Sequence, residues 1–356
     1  METKRNAKGD GWFIVNADKT VTNKKKYTSA DGKVFCKSFR GKNKTDAKRK
    51  RELWEHENSI EDHPLIVSTM PVAKYMLYWL DTFKKNAVSE STYDSIEDCI
   101  EARVNGYPLA QYQLSQLTLP LLQSHVNALV EAGYSRATIV KTCNILNNCF
   151  KKAVSVGDMR FNPMVGIDMP SERRVKTKAK KIQFYPPDDI EKIYSEALKR
   201  FSNGALVYHH GPALVLMMYT GIRIGECLGL KWGSVDFSKG RIIISNAIIR
   251  VKNRDEDATT KTLYKDSAPK TETSNRVVPL SDRAIEALWE LYTLGVGHNS
   301  SEDYVVQSEL HNRASERNIR RTLHLLEEHT STSVQGAGLH VLRHTFASYA
   351  IYRGMV

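Results

Sequence analysis

The sequence lacks the features of several functional classes. Its five cysteines form no C-x-x-C pair and have no histidines at metal-ligand spacing, which argues against a zinc site and favours free thiols in a reducing compartment. No apolar stretch is long enough to cross a bilayer, and the N-terminus has no apolar signal segment. No carboxylate cluster suggests magnesium. We therefore expect a cytoplasmic protein with no membrane span, no metal and no other cofactor.

The sequence instead contains positive charge in two concentrated segments. Apolar residues make up 41% of the chain and charged residues 26%, the balance of a folded globular protein. Residues 1–53 hold sixteen Lys or Arg against six Asp or Glu, and residues 171–181 hold six against one. Such clusters are typical of contacts to a polyanion such as DNA, although a solvated or disordered basic tail is the alternative for the N-terminal segment.

Periodicity and turn residues divide the chain into three domains and a linker. Residues 1–64 alternate short aromatic or β-branched runs with Asn and Asp-Gly turns, which predicts a small three-stranded sheet and a helix. Residues 70–169 predict a helical bundle, and residues 170–184 form a basic linker. Residues 185–356 mix helices with short strands, which predicts a mostly helical domain with a small antiparallel sheet. The fold class expected is multidomain α+β.

The third strand of the N-terminal sheet presents a mixed face. Lys33, Phe35, Lys37 and Phe39 alternate with the residues of the opposite face. Their face could lie in a DNA groove, but a sheet face packed by Phe and edged by Lys is equally ordinary. The DNA contacts expected from the sheet, the last bundle helix and the linker are Lys24, Lys25, Lys26, Lys33, Lys37, Arg40, Arg136, Lys141, Lys178, Lys180 and Lys181.

Three stretches of the last domain form a pattern. They are residues 220–232, with Gly-Ile-Arg at its start, residues 269–280, with Lys270, and residues 339–348, with His340-x-x-Arg343. Each alone is weak, because a single buried arginine is more often a salt-bridge partner. In this order, after a helical domain and a basic linker, they resemble the first-arginine box, the β-hairpin lysine and the H-x-x-R box of tyrosine site-specific recombinases, the family of phage and conjugative-transposon integrases.

This resemblance implies a function and an assembly. It implies an arm-site-binding domain at residues 1–64, a core-site-binding domain at 70–169 and a catalytic domain at 185–356. The activity implied is DNA strand exchange by phosphoryl transfer to a tyrosine, in a homotetramer on double-stranded DNA. An excisionase or a DNA-bending protein would be a further partner. A type IB topoisomerase shares the catalytic logic, but the N-terminal sheet and the helical domain favour an integrase.

The resemblance also assigns roles to the charged residues. Arg223 and Arg343 would meet the non-bridging phosphate oxygens with planar guanidinium forks, so that no metal is required. Lys270 could protonate the departing sugar hydroxyl as a general acid. Lys261 and Lys265 compete for that role, but only Lys270 has the motif context.

Three further residues support the predicted site. His340, three residues before Arg343, could accept the proton of the nucleophile or bind the phosphate. Glu226, three residues after Arg223, is expected to orient arginine or backbone groups. His344 is expected to pack beside the site.

The nucleophilic tyrosine is not expected within these 356 residues. In the family it follows the H-x-x-R helix on a further helix, whereas this sequence ends at Val356. Tyr349 and Tyr352 follow Arg343 on the same predicted helix instead of on a separate element. The leading hypothesis is a recombinase without its C-terminal segment and therefore unable to cleave. The alternative is a naturally truncated protein that occupies recombination sites without cutting.

Overall fold

A computed structural model describes residues 12–28, 34–57, 69–177, 182–255, 257–267 and 275–352. The chain divides into two compact units, Met1–Ala179 and Lys180–Val356. The described residues form mostly helices, together with small antiparallel sheets, which confirms the predicted α+β fold class. No helix within these ranges is long and apolar enough to cross a membrane. The finer division into arm-site, core-site and catalytic domains stays a prediction.

The first unit begins with a three-stranded antiparallel sheet and a helix. The sheet order is β1-β2-β3, and the aromatic side chains on one face surround Trp54 of the helix α1. Ring centroids lie 5.0 Å from Trp54 for Tyr27 and 5.7 Å for Phe39. The aromatic face of the sheet is therefore the core of this part. The elements are β1 (Trp12–Val15), β2 (Val21–Thr28), β3 (Val34–Gly41) and α1 (Lys44–Glu57).

Four helices then form a bundle with its own core. Thr118 caps α4 by accepting a hydrogen bond from the Leu121 backbone nitrogen, as the Thr-Leu-Pro sequence predicts. Trp79, Ile100 and Phe150 are fully buried between the helices. The helices are α2 (Val72–Trp79), α3 (Glu90–Ile100), α4 (Leu119–Glu131) and α5 (Arg136–Val156), and π-helical turns extend α2 through Leu80–Lys84 and α3 through Glu101–Asn105.

The first half of the predicted linker lies against this bundle. Val175 is buried in the bundle core, and Thr177 donates a hydrogen bond to the Gly133 carbonyl at 2.7 Å. Arg136 donates to the Pro170 carbonyl at 3.0 Å. Residues 170–177 are thus fixed by contacts within the first unit.

The second unit is built around one apolar helix. Every residue of helix α7 except Tyr219 is buried, and the helix packs against α9, α10 and α11, because apolar residues lie on all of its sides. The helices are α6 (Pro187–Ala197), α7 (Gly211–Thr220), α8 (Ile224–Gly229), α9 (Asp282–Leu294), α10 (Glu316–Thr330) and α11 (His340–Tyr352).

The strands of this unit form one sheet and one hairpin. The sequence predicts a single strand over residues 241–249. This prediction is wrong, because Ser245 and Asn246 interrupt the strand and separate two shorter ones. The Asn246 side chain accepts a hydrogen bond from the backbone nitrogen of Ala247 at 2.9 Å, a local bond that competes with strand pairing. The sheet has the order β4 (Val235–Asp236), β5 (Arg241–Ile244), β8 (Arg276–Pro279), and the hairpin pairs β6 (Ala247–Lys252) with β7 (Thr262–Ser267).

Candidate catalytic site

Two close backbone approaches position Arg223. Helix α7 ends at Gly221, which adopts a left-handed conformation with φ +65°. A Cβ at Gly221 would lie 2.4 Å from Cδ1 of Phe346 on α11, and a Cβ at Gly225 would lie 2.6 Å from the Ile248 carbonyl oxygen of β6. Only glycine fits at both positions. The segment that carries Arg223 therefore runs close to both α11 and the β6–β7 hairpin.

A buried carboxylate lies beside Arg223. Glu226 accepts a hydrogen bond from the Arg223 backbone nitrogen at 2.8 Å and another from its Nη1 at 2.9 Å. Arg276 on β8 donates Nη1 and Nη2 to the two carboxylate oxygens at 2.9 Å and 2.7 Å. The side chain of Glu226 is 8% exposed, whereas that of Arg223 is 53% exposed. Arg223 is therefore anchored at one edge and open to solvent.

The charge of Glu226 is fixed by its arginine partners. Burial by itself raises the pKa of this carboxyl, but the hydrogen bonds from Arg276 and from the Arg223 backbone outweigh it and hold the pKa at about 2. The hydrogen bonds to Glu226 in turn raise the pKa of Arg276. Both groups are charged at any physiological pH.

Arg343 faces the same region from α11. Its Nη1 donates to the Gly221 carbonyl oxygen at 2.5 Å. Burial, followed by the positive charges of Arg223 and Arg276, lowers the pKa of Arg343. The structure thus brings together three guanidinium groups and one carboxylate, which leaves an excess of positive charge suited to an oxyanion.

His340 and His344 lie on the same helix as Arg343. His340 is the first residue of α11 and is exposed. The two histidine rings meet edge to face with centroids 5.9 Å apart. His340 precedes Arg343 by three residues, so both side chains lie on one side of the helix.

Several predicted residues lie outside the described ranges. Lys270 is among them, so the structure neither places it nor excludes it. Lys261 and Lys265, its competitors, are exposed on the β6–β7 hairpin. The other predicted residues outside the described ranges are Lys33, Lys178, Lys180 and Lys181.

The sheet places its basic residues on two different faces. Lys37 lies 3.8 Å from the centre of the Trp54 ring, and Lys25 donates to Glu55 at 2.9 Å, so both face α1. The mixed face of Lys and Phe is thus covered by a helix, which is the structural alternative that the sequence left open. The opposite face carries Lys24, Lys26 and Arg40, with Arg40 paired to Asp18.

The two residues of α5 that were predicted to contact DNA have partners within the chain. Arg136 binds the Pro170 carbonyl, and Lys141 donates to the hydroxyl of Ser95 on α3. Both side chains stay exposed at the N-terminal half of the helix. They could exchange these partners for phosphate oxygens without unfolding the helix.

Arg276 is the residue of this pocket that sequence reasoning missed. It lies inside the second stretch of the family pattern, and the lone acidic residue Glu226 in the first stretch was the only signal of a basic partner. The pairing spans 50 positions of sequence, so spacing could not have found it.

Comparisons with known proteins support a tyrosine recombinase, the class that an arginine pocket of this kind suggests. The model of the phage integrase family matches residues 183–355. A XerC-like tyrosine recombinase of Caldanaerobacter subterraneus subsp. tengcongensis is 29% identical over 341 residues, which is 91% of this chain and 83% of the relative. The ICEBs1 integrase of Bacillus subtilis is 24% identical over 64% of this chain and 57% of its own length. Residues 183–355 therefore belong to the phage integrase family of tyrosine recombinases.

Solved structures share the fold. The Tn1549 transposon integrase in complex with circular intermediate DNA superposes with a TM-score of 0.66 at 19% identity, over 81% of this chain and 88% of that one. A lambda integrase dimer bound to a core site superposes with a TM-score of 0.58 at 16% identity, over 99% of this chain and 90% of that one.

Proposed function

We propose that this chain is the DNA-binding and phosphate-recognising part of a site-specific recombinase of a mobile element. The observation that carries the proposal is the convergence of Arg223 and Arg343 beside Glu226, whose carboxylate accepts four hydrogen bonds from arginine residues. Their guanidinium groups would bind the non-bridging oxygens of the scissile phosphate and stabilise its developing charge. Lys270 would protonate the leaving sugar hydroxyl, and His340 would accept the proton of the nucleophile or bind the phosphate.

The partner in this proposal is double-stranded DNA. The structural relatives include integrase–DNA complexes and a lambda integrase tetramer on a Holliday junction. By analogy, the helical bundle at residues 70–169 and the catalytic domain would each contact core-site DNA. A homotetramer would exchange strands, with an excisionase or DNA-bending protein as a further partner. The sheet face that bears Lys24 and Lys26 would bind an arm site, since exposed basic side chains on strands can reach phosphates in a groove.

The cleaving tyrosine in this proposal is neither Tyr349 nor Tyr352. A helix turns by about 100° per residue, which places Tyr349, six residues after Arg343, roughly 120° away and Tyr352, nine residues after it, roughly 180° away. Tyr352 is 87% exposed. Neither hydroxyl can then attack a phosphate held by Arg343, so this chain by itself would bind a recombination site without cutting it.

A suicide substrate tests this proposal. The chain is incubated with a nicked duplex made from the ends of the element that carries its gene, and DNA protection and covalent adducts are measured. We expect protection that weakens in Arg343→Ala and no protein joined to DNA. An adduct that disappears in Tyr349→Phe or Tyr352→Phe would overturn the assignment of the nucleophile. Protection unaffected by Arg223→Ala and Arg343→Ala would overturn the pocket.

The alternative is a protein that naturally occupies recombination sites without cutting. It would make the same DNA contacts, so binding assays do not separate the two. Sequencing of the coding DNA beyond Val356 does: an in-frame continuation with a tyrosine supports the recombinase, and an immediate stop codon supports the alternative. Addition of such a continuation should restore the adduct, and Arg223→Ala or Arg343→Ala should then reduce it by orders of magnitude.

A further inference from the structure

The carboxylate of Glu226 has no acceptor capacity to spare. It accepts hydrogen bonds from Nη1 and Nη2 of Arg276 and from the backbone nitrogen and Nη1 of Arg223. Two carboxylate oxygens offer about four lone-pair sites, and four donors fill them. Glu226 therefore cannot swing toward solvent without breaking several charge-assisted bonds.

The two arginines use this carboxylate in different ways. Arg276 donates hydrogen bonds from both terminal nitrogens to Glu226 in a bidentate pair, and its side chain is 30% exposed. Arg223 gives Glu226 only Nη1 from its side chain, which is 53% exposed. A guanidinium group has five N–H donors, so Arg223 keeps donors for a ligand. Arg276 holds the carboxylate, and Arg223 is the group that the carboxylate orients.

We infer that Arg276 is a positioning residue. Its two hydrogen bonds hold the Glu226 carboxylate in place, and this carboxylate orients Arg223 so that Arg223 and Arg343 can bind one tetrahedral oxyanion. The inference rests on the proposed function in taking that oxyanion to be the scissile phosphate. Arg343 is oriented separately, through its bond to the Gly221 carbonyl. Loss of the two hydrogen bonds from Arg276 would leave Glu226 free to rotate and to pair with Arg223 in a geometry that no longer presents its open edge.

Two substitutions distinguish a pure charge effect from an effect on the orientation of Arg223. Arg276→Lys keeps the positive charge but loses the bidentate geometry, so a pure charge effect leaves anion affinity unchanged, whereas loss of positioning lowers it. Glu226→Gln removes a negative charge from the pocket, so a pure charge effect strengthens anion binding. If Glu226 orients Arg223, the same substitution weakens anion binding despite the gain in net charge.

The experiment uses the full chain and inorganic sulfate as the probe, because sulfate is tetrahedral and keeps a constant charge at neutral pH. Binding is followed by the Nε–H resonances of arginine side chains in NMR spectra during a sulfate titration. We expect the Arg223 and Arg343 resonances to shift. We expect Arg276→Lys and Glu226→Gln each to weaken sulfate binding about tenfold, the factor for loss of one hydrogen bond to a charged group.

Arg200→Lys is the matched control. Arg200 pairs with both oxygens of Glu290 at 2.6 Å in the same unit, so its replacement changes the ion pair of a solvent-exposed arginine outside this pocket and should leave sulfate binding unchanged. Thermal unfolding of each variant separates misfolding from mispositioning. If Arg276→Lys does not fold, Glu226→Gln decides by the direction of its effect.

The outcomes separate this inference from the proposed function. Sulfate binding that is insensitive to Arg223→Gln and Arg343→Gln means that the pocket itself is wrong. Binding that is lost in those variants but unchanged in Arg276→Lys, or strengthened in Glu226→Gln, means that the pocket is right and that Arg276 does not position it.

Discussion

Replacement of Gly221 by alanine probes the turn that joins α7 to the arginine box. Gly221 has φ +65°, and an alanine in this left-handed region costs roughly 1–2 kcal/mol. The new Cβ would also lie 2.4 Å from the Phe346 ring, an overlap that must be relieved by shifting α11 or the turn. Such overpacking costs typically about 1–3 kcal/mol. We therefore expect Gly221→Ala to lower the free energy of unfolding by roughly 2–5 kcal/mol, a large share of an ordinary domain's stability.

The control for this prediction is Gly240→Ala. Gly240 has a similar backbone conformation, with φ +56°, but a Cβ there has no neighbour within 4 Å. It should therefore cost only the backbone strain of about 1–2 kcal/mol. Urea denaturation of both variants gives the difference, which isolates the contact with Phe346.

The same substitution should also disturb the site. The Gly221 carbonyl accepts the hydrogen bond of Arg343, so relief of the overlap moves the acceptor that orients this arginine. We expect weaker sulfate binding in Gly221→Ala than in Gly240→Ala. Equal destabilisation by the two substitutions would refute the close approach of Gly221 and α11.

Three further predictions concern DNA binding and pH. Lys26→Ala should reduce the magnitude of the slope of log K against log salt for duplex DNA by about 0.9. Lys37→Ala should leave the slope unchanged, because the Lys37 ammonium lies over the Trp54 ring. Equal effects of the two substitutions in fluorescence anisotropy would contradict DNA binding by the open face of the sheet. The pKa of Glu226 is held at about 2, below the ordinary glutamate value of 4.5, so the stabilisation from this carboxylate is complete above pH 4.5 and is lost as the pH falls toward 2. Acid should therefore lower the free energy of unfolding of the wild type by roughly 3 kcal/mol more than that of Glu226→Gln in urea titrations. Burial lowers the pKa of His125 to about 4, so amide hydrogen exchange in α4 should accelerate as the pH falls from 6.5 toward 4 after correction for intrinsic rates, and His125→Gln should remove that dependence.

Local sequence signals were sufficient for much of the secondary structure. Thr118 and Ser135 cap α4 and α5 because their hydroxyls accept hydrogen bonds from the backbone nitrogens three residues ahead, a relation contained within one turn. The run of apolar residues from Ala213 to Met218 likewise indicates a buried helix, because it leaves no polar face for solvent. The break at Ser245 and Asn246 escaped prediction because β-branched residues flank it on both sides and give one continuous strand signal.

The sequence also left the two faces of the N-terminal sheet undecided. Alternation showed which residues share a face, but both faces carry lysine. Packing decided the question, since Trp54 of α1 lies against Tyr27 and Phe39 and leaves Lys26 on the other side. Which face a helix covers depends on aromatic contacts between elements, and no local rule contains them.

By itself, the sequence determined the fold class, the two basic segments and the three stretches that hold Arg223, Lys270 and Arg343, because these depend on residue type and spacing. Only the tertiary structure decided that Arg276 clasps Glu226 and that Gly221 must be glycine. Both facts depend on elements that are distant in sequence meeting within hydrogen-bond or van der Waals distance, and such meetings are set by how the helices and strands pack.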